Sequence, residues 1–172
     1  MSSTAHLFSG TFDQFAWIRP EGRGNFLISP AVKSYAEKAI AKGATRVVVD
    51  LQRCPSIDST FMGTLASLAK SVRKKPGGAV EIADANKDTA RALKDLGLSS
   101  LLEINPKEAD WRSRLDEVRS SLTEGDDKTT AGVDKNSYVL QAHKELVRSN
   151  PDNKAKFSTL IELLEKDQRE KS

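Results

Sequence analysis

The chain has 172 residues, of which 27 are basic, 24 acidic and 38% hydrophobic. This suits one ordinary globular domain with an appendage, long enough to bury a real core. The net charge of +3, the single cysteine and the two distant histidines exclude a strongly basic nucleic-acid footprint, an internal disulfide framework and a cysteine-based metal cluster.

Residues 5–18 read as two short strands, near Ala5–Phe8 and Gln14–Ile18, around the polar turn Ser9-Gly10-Thr11. The segment Pro20-Glu21-Gly22-Arg23-Gly24 lacks the third glycine of a dinucleotide loop and reads as a plain turn. Ser29-Pro30 then starts a helix, with Ser29 as cap and Pro30 at the first helical position, where its missing N–H costs nothing. Val32, Tyr35, Ala36, Ala39 and Ile40 keep an apolar face, and Gly43 ends the helix. The β-branched run Val47-Val48-Val49 makes Arg46–Leu51 a fully buried strand.

A loop with Cys54 and Pro55 follows, and a helix opens at Asp58-Ser59-Thr60. It runs to about Lys75 with Phe61, Met62, Leu65, Leu68, Ala69 and Val72 on one side, and Pro76-Gly77-Gly78 stops it. Ala79–Ala85 reads as a strand, Lys87–Leu96 as a short helix ended by Gly97, and Leu101–Ile104 as a last strand. Pro106 opens a helix carrying Trp111, Leu115, Val118 and Leu122. Strands alternating with helices of this length imply an α/β domain with parallel or mixed pairing.

Beyond Leu122 the composition changes. Thr123–Gly132 is polar and glycine-flanked, which fits a linker. Tyr138, Val139, Ala142 and Leu146 then form one helical face and Phe157, Leu160, Ile161 and Leu164 another, separated by the turn Ser149-Asn150-Pro151-Asp152. A hairpin this small cannot hold a core alone. It must pack on the domain, on a second copy or on a partner. The expected organisation is a domain over 1–122, a linker over 123–134 and a helical hairpin over 135–172.

Catalytic groups are scarce. GxSxG, GxxxxGK[ST], GxGxxG and HExxH are all absent. A nucleophilic Ser59 would have to recruit His6 or His143 from either end of the chain. Asp50, Asp58 and Asp84 could cluster at strand ends like the carboxylates of a Mg²⁺ site, although such acids are common without a metal. Cys54 beside Arg53 is either a thiol of lowered pKa or a small buried hydrophobe. Lys70, Arg73, Lys74 and Lys75 fall at the end of their helix, where cations complement its dipole. Trp17 and Trp111 read as packing residues.

Ser59 has two compatible readings. Asp58 or Ser59 is a natural helix N-cap. A phosphate on Ser59 would also meet the positive end of the helix dipole and add roughly −1.5 to −2 charge beside Asp58, so a partner docked there would meet repulsion.

The segment RVVVDLQRCPSIDSTFMGTLASL, with IADANKDTARALKDLGLSSLLEI further on, resembles a STAS domain of the anti-sigma-factor antagonist type, over about residues 5–122. The resemblance implies a small mixed sheet covered by helices on one side, with the C-terminal helical hairpin as an addition. It implies Ser59 as phosphoacceptor, with Thr60 as the alternative, and a partner-binding surface of Asp58, Ser59, Thr60, Phe61 and Met62. The implied partners are an anti-sigma-type serine kinase, bound when Ser59 is unmodified and released on phosphorylation, and a phosphatase that resets the cycle. No catalysis, cofactor, metal or direct nucleic-acid contact is implied. Where the family pattern has glycine two places after the acceptor, this chain has Phe61, with Gly63 retained two residues later. The other reading is a nucleotide-sensing or scaffold STAS domain without phosphorylation. No apolar stretch approaches membrane-spanning length and MSSTAHLFSG lacks a secretory pattern, so the cytoplasm is expected. The hairpin is expected to dock on the domain or to mediate a homodimer.

Overall fold

In the computed structural model, which describes residues 5–125 and 132–171, the strands β1 (His6–Phe12) and β2 (Phe15–Glu21) pair antiparallel across Asp13 and Gln14. Asp13 takes a left-handed backbone there (φ 53°), which short polar side chains tolerate. The turn is therefore not at Ser9-Gly10-Thr11, which lies inside β1. Gly10 serves close packing: a Cβ on it would stand 3.0 Å from the Phe12 ring.

β3 (Arg46–Asp50), β4 (Ala79–Ala83) and β5 (Leu102–Ile104) extend the sheet by parallel pairing from β2. A two-residue strand, β6 (Thr123–Glu124), pairs antiparallel with β1 and gives the order β5-β4-β3-β2-β1-β6. The start of the expected linker is thus a sheet edge, and residues 126–131 of that linker lie outside the described residues.

Alternation along the strands divides the interior. Ala16, Ile18, Val47, Val49, Val80 and Ile82 face the main core, beneath the helices α1 (Ser29–Ala41), α2 (Ser59–Val72) and α3 (Lys87–Asp95). Trp17, Val48 and Ala83 face a smaller cluster with Trp111 and Val118, as the two-residue period of a strand requires. The helix expected from Pro106 is instead a 3-10 turn over Asp110–Arg114 followed by α4 (Leu115–Ser120). That path brings Trp111 edge-on to Trp17 of β2 (5.3 Å between rings) and lets its indole N–H donate to Glu81 of β4 (3.1 Å). Besides the helices on the main face, the second face is thus capped in part. Ser29 is not a cap either. It is buried inside α1 behind Ile28, and its hydroxyl donates to the Asn25 carbonyl at 2.7 Å.

The C-terminal hairpin consists of α5 (Lys135–Ser149) and α6 (Lys154–Lys171) around a 3-10 turn at Pro151–Asn153. It docks on the domain. Leu146 is fully buried in the main core and Phe157 packs against it. The buried Asn153 amide donates to the carbonyls of Leu96 (3.0 Å) and Leu146 (2.9 Å), tying the hairpin turn to the end of α3. Gly97 (φ 74°) lies beneath Asn150, and a Cβ on it would stand 2.3 Å from the Asn150 amide nitrogen. α6 is peripheral, with no buried residue and with Leu163 62% exposed. No described helix is long and apolar enough to cross a membrane.

Candidate functional site

The loop between β3 and α2 is fixed at both ends. β3 is buried throughout its three valines, and the loop after it is laced to the glycine turn after β2. Gly22 N–H donates to Arg53 O (3.0 Å), Gly24 N–H to Ser56 O (2.8 Å), and Asp58 N–H returns to Gly24 O (2.8 Å). A Cβ on Gly24 would stand 2.8 Å from the Ile57 side chain, so the close approach needs glycine there. Within the loop Cys54 is buried, and burial pushes its thiol up to about 11, against the weaker pull of the Gly24 and Ser56 backbone. Of the two readings of Cys54, the structure supports the small hydrophobe, because a thiol raised this far is no thiolate nucleophile.

Asp58 caps α2: its Oδ1 accepts the Phe61 N–H at 2.9 Å. The residue is exposed at its edge, yet partial burial of the carboxyl raises its pKa, outweighing the backbone N–H groups of Phe61 and Thr60. Ser59 is the first residue of α2 and is half-buried. The other residues assigned to the surface lie deeper. Thr60 is 6% exposed, Phe61 is fully buried and Met62 is buried, with Phe61 and Met62 in the main core. The aromatic that replaces the family glycine thus points into the domain, and the outward part of the proposed surface reduces to Asp58 and Ser59.

The partner of Ser59 comes from the far end of the chain. His143 of α5 stands with Nε2 2.7 Å from Ser59 Oγ, while its Nδ1 lies 2.7 Å from the Val139 carbonyl. A carbonyl only accepts, so in the neutral ring Nδ1–H donates to Val139 and Nε2 accepts the Ser59 hydroxyl proton. The ring is 1% exposed and meets Phe157 edge-on at 4.9 Å. Sequence reading placed the two histidines at the chain ends and could not say that one arrives here. His6 ends up elsewhere, beside Glu124 at 2.7 Å.

More of α5 lies on the same face of α2. Thr64 Oγ1 donates to Thr60 O (3.1 Å), so the Tyr138 hydroxyl 2.7 Å away is the donor to Thr64. Burial pushes the Tyr138 pKa up to about 12. Lys70 pairs with Glu145 at 2.8 Å. Gly63 is where the helices touch: a Cβ on it would stand 2.3 Å from the Ala142 carbonyl oxygen. An open cleft of about 530 Å³, bordered by Phe26, Leu27, Asp58, Lys135 and Leu160, leaves one side of Ser59 approachable.

Two other sequence candidates resolve into structural roles. Asp50 and Asp84 do meet, but around Arg119, which reaches Asp50 Oδ2 and Asp84 Oδ2 at 2.8 Å each. Asp58 is not with them, and no group of side chains able to hold a metal occurs among the described residues. The Mg²⁺ reading therefore fails, because Arg119 and Arg112 already hold the two acids in ion pairs. Of the basic cluster, Lys70 pairs with Glu145, the Arg73 guanidinium donates to Ser100 O (2.7 Å), and the Lys75 ammonium donates to Ile40 O. These cations fasten helix ends to their neighbours.

Comparison with known proteins extends this picture. The family model of the STAS domain matches residues 11–111. Among solved structures, an anti-sigma factor antagonist from Mycobacterium paratuberculosis is similar at 18% identity and TM-score 0.54, covering 69% of this chain and 97% of that one. The anti-sigma factor antagonist SpoIIAA in its unphosphorylated form is similar at 16% identity and TM-score 0.53, covering 68% and 99%. The Thermotoga maritima protein TM1081 is similar at 21% identity and TM-score 0.53, covering 64% and 92%. At such identities the likeness is one of fold. Comparison with curated proteins finds no match.

Proposed function

The chain belongs to the STAS domain family, and on that premise we propose that it is a phosphorylation-regulated interaction module of the anti-sigma-factor antagonist type, with Ser59 as its phosphoacceptor. Its partner is an anti-sigma-type serine kinase, which the unmodified chain binds and the phosphorylated chain releases. A phosphatase resets the cycle, and the pathway controls transcription without the chain itself touching nucleic acid. It works in the cytoplasm and has no catalysis of its own.

One observation carries the reading. Ser59 opens a 14-residue helix, on a loop whose backbone is pinned to the glycine turn, with its hydroxyl bordering an open cleft. A phosphate there meets the positive end of the helix dipole and stands beside Asp58, so modification changes charge where a partner docks. Thr60, the alternative acceptor, borders the same cleft but is only 6% exposed. The Ser59–His143 pair supports positioning better than hydrolysis. The imidazole Nδ1 faces the Val139 carbonyl where a catalytic dyad of the triad type has a carboxylate, and the Asp58 carboxyl is committed to the cap.

The test is co-purification from the native host with mass spectrometry, for wild type, Ser59→Ala and Ser59→Asp. Phosphate is expected on Ser59 of the wild type. Ser59→Ala should retain the kinase and Ser59→Asp should bind it at least about tenfold more weakly, about 1.4 kcal/mol. If both variants bound as wild type does, the switch would not exist.

A further inference from the structure

The face of α2 that Ser59 opens is already occupied. Four positions along it are engaged by α5: the Ser59 hydroxyl by His143, the Gly63 gap by Ala142, Thr64 by Tyr138 and Lys70 by Glu145. Gly63 is especially informative. A glycine inside a helix is less favourable than alanine, and here the missing side chain lets the Ala142 backbone come within the space of a Cβ. α5 lies beyond residue 111, where the family match ends. It belongs to this chain's addition to the domain.

We infer that α2 presents a helix-accepting surface, and that the C-terminal hairpin is its resident, displaceable occupant. An outside partner binds by replacing α5 with a helix of the same signature. That helix carries a small residue against Gly63, a hydrogen-bond acceptor at the next position for Ser59, and an acid three positions after the small residue for Lys70, as Ala142, His143 and Glu145 do. The inference rests on the Ser59 reading only in taking this face as the partner surface, and it adds the partner's chemistry and a competitor built into the chain.

The hairpin is suited to exchange. Its hold is divided between α5, the Asn153 turn and Phe157, while α6 has no fully buried residue and leaves Leu160 and Leu163 at the surface. A helix held by one face against a domain that has its own core can leave without dismantling the sheet.

The test uses the full chain and a synthetic peptide of residues 134–171 as the incoming helix. In Ala142→Arg the new side chain has no room against Gly63, so α5 should undock. Amide exchange across Ser59–Val72 and Lys135–Ser149 should then quicken at least tenfold, while β3 and β4 keep their protection. The peptide should bind Ala142→Arg at least tenfold more tightly than it binds wild type, and a peptide carrying the same Ala142→Arg change should bind neither. If Ala142→Arg loses the sheet's protection, the double variant His143→Ala, Glu145→Ala takes its place and must show the same ordering. Equal binding to wild type and variant, binding to neither, or unchanged exchange would each overturn the inference. No kinase or phosphate enters either measurement, so its failure leaves the Ser59 proposal standing, and an unphosphorylated Ser59 in cells would leave this result untouched.

Discussion

Gly63 and Asp58 show how much a single residue conveys here. The Asp58-Ser59-Thr60 helix start was legible because Asp and Ser are the side chains that satisfy free N–H groups at a helix end. Replacing Asp58 with Ala removes the bond to the Phe61 N–H, and should lower stability by about 1 kcal/mol, read as a shift of the urea midpoint, with the fold kept. In the sequence Gly63 stands only as the glycine retained two residues after Phe61. Its reason, the Ala142 carbonyl 2.3 Å from where a Cβ would sit, lies in a segment far along the chain. Gly63→Ala is therefore expected to run against propensity. The helix gains about 1 kcal/mol and the overpacked seam loses about 2–3 kcal/mol, for a net destabilisation of about 1–2 kcal/mol. A stabilised Gly63→Ala protein in chemical denaturation would show that the seam yields freely. For the same reason His143 was legible only as one of two histidines that Ser59 could recruit. A lone histidine on a helix carries no address, and only the docking of α5 gives it Ser59 as a partner.

Strands and helices with a strong period were legible at their centres and less so at their ends. Val47–Val49 marked β3 because a buried parallel strand is apolar on both faces. Polarity suggested a turn at Ser9-Gly10-Thr11, yet these residues continue β1, since the antiparallel edge is set by register and by Asp13. β6 escaped notice because two polar residues hold no alternation. The winding over Asp110–Ser120 was hidden by an apolar spacing that also suits a helix, and the bond from Trp111 to Glu81 decides its path. The hairpin was legible as two faces, but not as part of the core. Leu146 settles that, being fully buried among residues of α1, α2 and the sheet. Leu146→Ala should thus weaken the seating of α5 by about 2–5 kcal/mol, read as faster amide exchange over Lys135–Ser149. Exchange there unchanged from wild type would mean that Leu146 does not hold α5.

Across the whole molecule, the second face of the sheet is clamped electrostatically. Arg119 spans Asp50 and Asp84, Arg112 adds a contact to Asp84 at 3.3 Å, and the Asp50 carboxylate also accepts the Trp17 N–H at 3.2 Å. Burial alone would raise the Asp84 pKa, but the hydrogen bonds and charges of Arg119 and Arg112 outweigh it and hold it below the usual carboxylate range. A carboxyl depressed in the folded state contributes stability above its unfolded value, near pH 4, and that contribution disappears as pH falls through the folded value. Asp84→Asn, which has no such proton to take up, should lose less melting temperature between pH 7 and pH 3 than wild type does. Parallel losses in the two proteins would show that the clamp does not titrate with the fold. Asp58 and Glu81, both raised by burial, move in the opposite sense, so only the difference between variant and wild type isolates Asp84. On the main face, the hydrogen bond from Ser59 to His143 links two equilibria in one thermodynamic square. If esterifying that oxygen weakens the seat of the tail by some factor, seating the tail disfavours esterification by the same factor. In the proposed cycle the terminal helices would then act as a counterweight, setting how far a given ratio of kinase to phosphatase activity can drive the population to either state.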